Sequence, residues 1–367
     1  MPQWAKMRLR LLCSLRPHSP LQRLVGALKA QNKERVMTHE RQYASHGMTS
    51  SLGYTNWMRE YASRSNEKTL SQQIFVGIIK ELYRYQKPVG IHIVDLGCGD
   101  GSPVKDLVTF VSSYNPGKIV IYTGIDADAA AVAFAKKNFE NIACVQAHLY
   151  QRDCFKEGVP EGLADLIVVS HAAYFAGENL PKFIKNVMQG LKKNGIVLFL
   201  HDRNGEKSNI NALYGKYNPT FCDPNISKKI ETELKNLDIK YKAVEFTATL
   251  QFPTIAKEIW EKIAVSPIMP VSDENDKIGV IFSLLSFVVQ CSLIELKEKG
   301  VLQKFLKEIK VLLATQNYQL YVGNICYVAI AKDHDPDVLA IINHIDPFPK
   351  GDDGHLDTQN AADAATA

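Results

Sequence analysis

A short apolar run, His92-Ile93-Val94-Asp95-Leu96, ends in Gly97-Cys98-Gly99-Asp100-Gly101 and gives way at once to a helical period. Glycines at alternate positions after a buried strand let the backbone turn tightly, approach a ligand closely and present N–H groups at a helix start. Ser102 is placed to cap that helix, Pro103 suits its first turn, and Val104, Leu107, Val108 and Val111 keep its period. Such a strand–loop–helix belongs in an open parallel sheet whose ligand lies beyond the carboxyl ends of the strands. A second strand, 118–125, is closed by Asp126, 25 positions after the last glycine, where an acidic residue commonly anchors a ribose. A dinucleotide loop wants G-x-G-x-x-G. Here the third place is Ser102, and the spacing is G-x-G-x-G.

The alternation continues on both sides of the loop. Ile74, Phe75, Ile78, Ile79 and Leu82 mark a core-facing helix over 70–85, before the first strand. Asp128 starts an Ala-rich helix running to Asn138, strands are expected at 142–146 and 165–169, and Leu180, Phe183, Ile184, Val187, Met188 and Leu191 fall on one helical face. That helix is expected to stop at Lys193-Asn194-Gly195. A fifth strand at 195–201 completes a parallel set covered on both faces. After Asp202 the rhythm breaks: a helix at 227–236, a strand at 240–250, a helical block over 254–316 and a last strand at 318–331.

Asp95 with the glycines Gly97, Gly99 and Gly101 resembles motif I of the class I S-adenosylmethionine-dependent methyltransferases. The resemblance implies a Rossmann-like α/β fold with seven mostly parallel strands in the order 3-2-1-4-5-7-6, the seventh antiparallel, with helices on both faces and a helical insertion covering the substrate. It implies S-adenosylmethionine as cofactor, held by the loop, with Asp126 on its ribose. His148 and Leu149 occupy the place beside the adenine, although His148 reads equally as a surface residue. Ser170 and His171, after the fourth strand, stand where the family lines the channel from cofactor sulfur to substrate.

From about residue 43 to 332 the chain is also similar to the histamine N-methyltransferases. Ser65-Asn66-Glu67-Lys68 resembles their Ser-Thr-Glu-His, whose Glu faces the amine, and His171 falls where they carry a pocket Gln. Leu213-Tyr214-Gly-Lys-Tyr217, then Cys222 and Ile226-Ser227, resemble their Leu-Trp-Lys-Lys-Tyr, Cys and Ile-Thr-Ser; Leu237-Asp-Ile-Lys-Tyr241 resembles another of their segments. In the last strand Gly323 stands where their substrate-contacting Asn would be, and Asn324 is one position off. This resemblance implies a substrate site built from Glu67, His171, Tyr174, Tyr214, Cys222 and Asn324.

From the residues alone, His171 is a pocket donor or a core histidine, and Tyr174 and Phe175 are pocket wall or sheet–helix core. Tyr54, Trp57, Met58 and Tyr61 form a helix face that packs, with a lid over the site as its second role.

Charge limits the remaining classes. Residues 1–41 carry nine Lys/Arg against two acids, while the rest of the chain has 34 basic and 37 acidic residues, so its body is no nucleic-acid surface. The seven cysteines form no C-x-x-C pair, which argues against a disulfide framework or a zinc site and for a reducing compartment. The expected organisation is a flexible basic leader at 1–42, a methyltransferase domain at 43–335 and a disordered acidic tail at 350–367. Its cofactor half covers about 70–205, with covering elements at 43–69 and 206–316. The leader reads as a solvated tail of a cytoplasmic protein or as an amphipathic, Arg-rich import sequence for mitochondria. The uncharged run from Ile278 to Ile294 is interrupted by four polar residues and is expected as a buried helix, not a membrane span.

The expected activity is methyl transfer by a monomer, without a metal, to a small molecule through an amine or imidazole nitrogen. O-methylation, protein methylation and a non-catalytic cofactor-binding scaffold are the alternatives.

Overall fold

The computed structural model describes residues 51–86, 90–114, 118–203, 208–218, 225–265, 267 and 277–344. The leader, the acidic tail and Cys222 lie outside them. The chain divides into two units, Met1–Asn56 and Trp57–Ala367. Of the first, only the opening turns of helix α1 (Ser51–Arg64) are described.

The second unit is built on one seven-stranded sheet in the order β3-β2-β1-β4-β5-β7-β6, as expected. The strands are β1 (Ile91–Leu96), β2 (Val120–Asp126), β3 (Val145–Gln151), β4 (Ala164–Ser170), β5 (Leu191–Asp202), β6 (Tyr241–Gln251) and β7 (Gln319–Ile330). The first five pair in parallel; β7 runs antiparallel to both β5 and β6, with Asp202 opposite Asn324. The crossovers are α2 (Glu67–Gln86) leading into β1, α3 (Ser102–Tyr114), α4 (Ala129–Phe139), a short α5 (Cys154–Glu157), a 3₁₀ segment (Ala173–Asn179) and α6 (Leu180–Gln189). Beyond β5 come α7 (Asn209–Tyr217), α8 (Ile226–Asn236), α9 (Lys257–Val265), α10 (Lys277–Val289), α11 (Leu293–Glu298), α12 (Leu302–Thr315) and, after β7, α13 (Pro336–His344).

Alternate residues of the central strands feed two cores. Ile93, Tyr122, Leu166, Leu198 and Val328 meet Ile74, Ile78, Val104 and Leu107 on one face, and Val338 and Ile342 of α13 join them, so packing continues past residue 335. On the other face Val94, Ile167, Val169, Val197 and Phe199 meet α6 through Phe183, Ile184 and Val187, and α8 through Ile230 and Leu234. Each such side chain contributes ~1.5–3 kcal/mol by leaving water, so the apolar stripe of α6 holds it to the sheet.

Three expectations are corrected. First, α6 stops at Gln189-Gly190, four residues earlier than expected: a Cβ at Gly190 would lie 2.7 Å from Val159 Cγ1, and Leu191 already pairs with Ala164. Second, β3 begins at Val145 and ends at Gln151, further along the chain than the expected 142–146, with Gln151 opposite Asp126. Third, the uncharged run 278–294 is two helices. Gln290 takes a left-handed φ of 53°, and Ser292 and Glu295 form a reciprocal capping box that starts α11. Among the described residues no helix is long and apolar enough to cross a membrane.

Candidate active site at the carboxyl ends of the strands

Gly97, Gly99 and Gly101 all have positive φ, at 74°, 54° and 75°, in the region where a Cβ is strained. They are glycines for different reasons. A Cβ on Gly97 would lie 2.4 Å from Ala172 Cβ, and one on Gly101 would lie 2.5 Å from the Phe139 ring. Among the described residues, a Cβ on Gly99 would meet nothing within 4 Å. Gly97 and Gly101 therefore serve packing, and only at Gly99 does open space face the backbone.

The loop is tied down by Asp126, whose Oδ2 accepts the Gly99 N–H at 2.8 Å and whose Oδ1 accepts the Asp128 N–H at 2.8 Å. Burial pushes the Asp126 carboxyl up, against the pull of those backbone donors. Each oxygen keeps a lone pair free for another donor. Asp128 caps α4 by accepting the Ala130 N–H at 2.8 Å. Asp95 is buried beneath the loop, 2% exposed, and accepts the Tyr122 hydroxyl at 2.9 Å; burial raises its pKa to about 7. Tyr122 in turn stacks on Phe139, with ring centroids 4.1 Å apart. Asp95 thus supports the loop from below.

His148 and Leu149 are not at the expected place. His148 is exposed in the body of β3 opposite Thr123, and Leu149 packs against the core. The error follows from the misplaced strand: the carboxyl end of β3 is Gln151, followed by Arg152 and by Asp153, which caps α5. Ser170 is half-buried at the end of β4.

Beside the loop lies the second half of the site. His171 follows β4 with φ at 51°, a strained conformation for a residue with a side chain, held by its N–H to the Leu200 carbonyl at 2.8 Å. Ala172, which touches the loop at Gly97, is the next residue. The imidazole stands between two carboxylates: Nε2 is 3.5 Å from Glu67 Oε1 and Nδ1 is 3.4 Å from Asp202 Oδ1. Burial works to lower the His171 pKa, but Glu67 and then Asp202 outweigh it and raise it to about 9.

Glu67 is 9% exposed at the start of α2. Its place is set by the preceding pair: Ser65 bridges to Leu250, and Asn66 exchanges hydrogen bonds with Thr249 on β6, at 3.2 and 2.7 Å. Tyr61, stacked on Phe287, donates to Glu67 Oε2 at 2.8 Å, while among the described residues Oε1 has no partner in hydrogen-bonding geometry, the Asn324 side chain lying near enough to favour the charged carboxylate. Burial raises the Glu67 pKa, opposed by His171.

The Tyr174 hydroxyl accepts the Asp202 N–H at 2.7 Å and lies 3.4 Å from His171 Nδ1; the Tyr214 hydroxyl donates to Asp202 Oδ2 at 3.4 Å. Asn324 is 1% exposed, with its Oδ1 unpaired. At Gly323 a Cβ would lie 2.7 Å from the Arg203 carbonyl, so the backbone pairing there demands glycine.

Glu67, His171, Tyr174, Tyr214 and Asn324 were all expected. Asp202 and His201 were not assigned to the site from sequence, and Tyr61 only as part of a packing face with a secondary role as a lid. His201 is fully buried, its two ring nitrogens have no partner among the described residues, and it stands edge-on to Tyr174 at 5.2 Å and to His171 at 6.2 Å. Burial, and then the charge of His171, hold it well below its usual pKa, so it is neutral.

Glu67, His171 and Asp202 offer ligand atoms within 4.8 Å of one another, close enough for a cation. However, the ring turns a different nitrogen to each carboxylate, an arrangement suited to a shared proton more than to a shared ion.

Residues 93–195 match the family model described as a methyltransferase domain. No curated protein matches the chain. Among solved structures it is similar to a putative methyltransferase from Bacillus halodurans, at 12% identity and a TM-score of 0.42, over 69% of this chain and 98% of the other. It is similar to an S-adenosylmethionine-dependent methyltransferase from Archaeoglobus fulgidus at 14% identity and a TM-score of 0.36, over 69% and 92%. An N-methyltransferase from Bradyrhizobium japonicum aligns at 15% identity and a TM-score of 0.35, over 49% and 89%.

Proposed function

We propose that this chain, a class I S-adenosylmethionine-dependent methyltransferase, moves the methyl group to a nitrogen of a small amine or imidazole. The observation that carries the reading is the buried Glu67 Oε1, which has no partner in hydrogen-bonding geometry among the described residues, beside an imidazole flanked by a second carboxylate. With a proton on His171 the three groups sum to one negative charge. A cation entering such a half-buried place is compensated, and a neutral imidazole can still donate its N–H to the carboxylate, where an anionic molecule would leave it unpaired.

The cofactor fits the loop as built: Gly99 opens onto free space, and Asp126 retains lone pairs for ribose hydroxyls. When bound, it supplies an electrophilic methyl carbon on a sulfonium. The loop backbone from Gly97 to Gly101 and Asp126 would hold it; Ala172, packed on Gly97, fixes His171 next to it. Glu67 anchors the acceptor, and Tyr174 and Tyr214 hold Asp202 in place. Orientation in a site shielded from bulk water is the main contribution such a reaction needs.

The histamine N-methyltransferase resemblance agrees in chemical class, through Glu67, and stops there: His171 replaces a Gln, and Gly323 replaces an Asn. The test is transfer of a radiolabelled methyl group to a panel of biogenic amines, imidazoles, amino acids and catechols. Labelled amine or imidazole supports the reading. Label confined to catechols or carboxylates would replace it with O-methylation.

A further inference from the structure

An amine that is a cation at neutral pH has no lone pair to offer, so one proton must leave the acceptor before the methyl group can be received. We infer that His171 Nε2 is the base that removes it, and that Asp202 is the positioning residue that makes this nitrogen available. The inference rests on the nitrogen-acceptor reading and adds a proton path to it.

The geometry assigns the roles. Asp202 Oδ1 lies 3.4 Å from Nδ1, and the Asp202 backbone N–H is fixed on the Tyr174 hydroxyl at 2.7 Å. An anionic acceptor beside Nδ1 keeps the ring's proton there and leaves Nε2 bare. Nε2 has no hydrogen-bond partner and points to Glu67 Oε1, the atom that would anchor the ammonium. The strained backbone of His171 suits a side chain whose direction matters. The titratable groups around the ring are Tyr61 and Glu67 from the first two helices, Tyr174 from the 3₁₀ segment, His201 and Asp202 from β5, and Tyr214 from α7. Among them the two carboxylates supply the charge, His201 is neutral, and the tyrosines donate or accept hydrogen bonds.

The cycle balances. In the free protein the ring is charged between its carboxylates. A cationic acceptor at Glu67 competes with that charge, and the ring releases one proton to water, keeping the proton on Nδ1. The acceptor's N–H bond then breaks, its electron pair stays on nitrogen, and the proton forms a bond to Nε2. His171 returns to its charged state, the acceptor nitrogen has its lone pair, and one proton has left per turnover.

The test compares wild type with Asp202→Asn and His171→Gln, using the panel amine of highest kcat/KM. Two measurements are made: steady-state rates over pH 6.5 to about 10, and proton release on amine binding, followed with an indicator in weak buffer in the presence of S-adenosylhomocysteine. Asp202→Asn is expected to lower kcat by roughly 10²–10⁴-fold, the usual share of a general base, with unchanged cofactor affinity. Its remaining rate should climb as pH frees the amine on its own, and proton release should be lost in both variants. Unchanged proton release and an unchanged pH profile in Asp202→Asn overturn the inference and leave the nitrogen-acceptor reading standing. If Asp202→Asn does not fold, His171→Gln decides in the same way. A wild type that methylates no nitrogen overturns the acceptor reading, and the proton path falls with it.

Discussion

A methyl group placed at each loop glycine in turn separates cofactor geometry from folding. At Gly99, alanine must adopt a φ of 54°, which costs about 1–2 kcal/mol, but among the described residues its Cβ meets nothing within 4 Å. A loss of that size corresponds to a fall in Tm of about 2–8 °C for a domain of this size. At Gly97, the same strain is joined by a Cβ 2.4 Å from Ala172 Cβ, an overpacking that costs about 1–3 kcal/mol more. At Gly101 the clash is with Phe139, whose ring is stacked on Tyr122. Melting should therefore rank Gly99→Ala as the mildest of the three. Titration calorimetry with S-adenosylmethionine should invert the ranking: Gly99→Ala is expected to lose at least tenfold in affinity, about 1.4 kcal/mol, because its methyl takes the ligand's space. Gly97→Ala should recover stability when Ala172→Gly is added. A Gly99→Ala protein that binds within twofold of wild type would refute the assignment of that open space to the cofactor.

Asp126→Ala should cost more than a ribose contact, since it strips the acceptor from the Gly99 and Asp128 N–H groups; about 1.5–3 kcal/mol per charged hydrogen bond is expected in chemical denaturation, with cofactor affinity down ten- to a hundred-fold. Asp128→Ala, by contrast, should lose about 1 kcal/mol of helix capping and no affinity. Glu67→Gln should raise KM for an amine several-fold while S-adenosylmethionine affinity, read by calorimetry, stays put; an unchanged KM would remove Glu67 as the anchor. Because the folded Asp95 holds its proton up to about pH 7, its ionisation opposes folding increasingly as pH rises from about 4 to 7, so Asp95→Asn should gain stability over wild type at pH 8 and match it at pH 4 in urea titrations. His171 runs in the same direction, since the folded state again holds the proton more tightly, but over a higher pH window. Its pKa of about 9 lies above the 6.5 of an unfolded histidine, so the stability it lends is complete below about 6.5 and lost as pH rises through 9, and His171→Gln should melt closest to wild type above that pH.

What the sequence made legible was whatever is local. The glycine spacing, Asp126 and the alternation of periods mark the strands and helices, because each depends on neighbours within a strand–helix unit, and the family resemblance they carry implies the sheet order. β3 was misplaced since its residues alternate weakly and are largely exposed, leaving no apolar stripe to set the register, and of the two readings of His148 the exposed one agrees with the strand as it lies. At α6 the helical period ran on through Leu191, and only the packing of Gly190 against Val159 ends it earlier. Asp202 was seen only as the point where the rhythm breaks. Its position at the end of β5, beside the end of β4, was the available signal, but its partner His171 is 31 positions away and the pairing is tertiary. Tyr61 was read as packing, and it does pack, on Phe287; the hydrogen bond to Glu67 depends on a turn of chain that periodicity does not report.

The attachment of Asn66 to Thr249 has a consequence for how the protein comes into being. The bond from Gly99 to Asp126 closes 27 residues, whereas the one that seats Glu67 closes 183. By chain entropy the longer closure costs about 1.7 kcal/mol more. During synthesis the glycine loop has all its partners once β4 and the following turn have emerged, but Glu67 has no fixed position until β6 is made. The glycine-loop end of the molecule can therefore mature while the end around Glu67, the proposed acceptor site, is still open. A chain interrupted before residue 240 would lack the strand that holds Glu67, and with it the place proposed to receive the acceptor's charge.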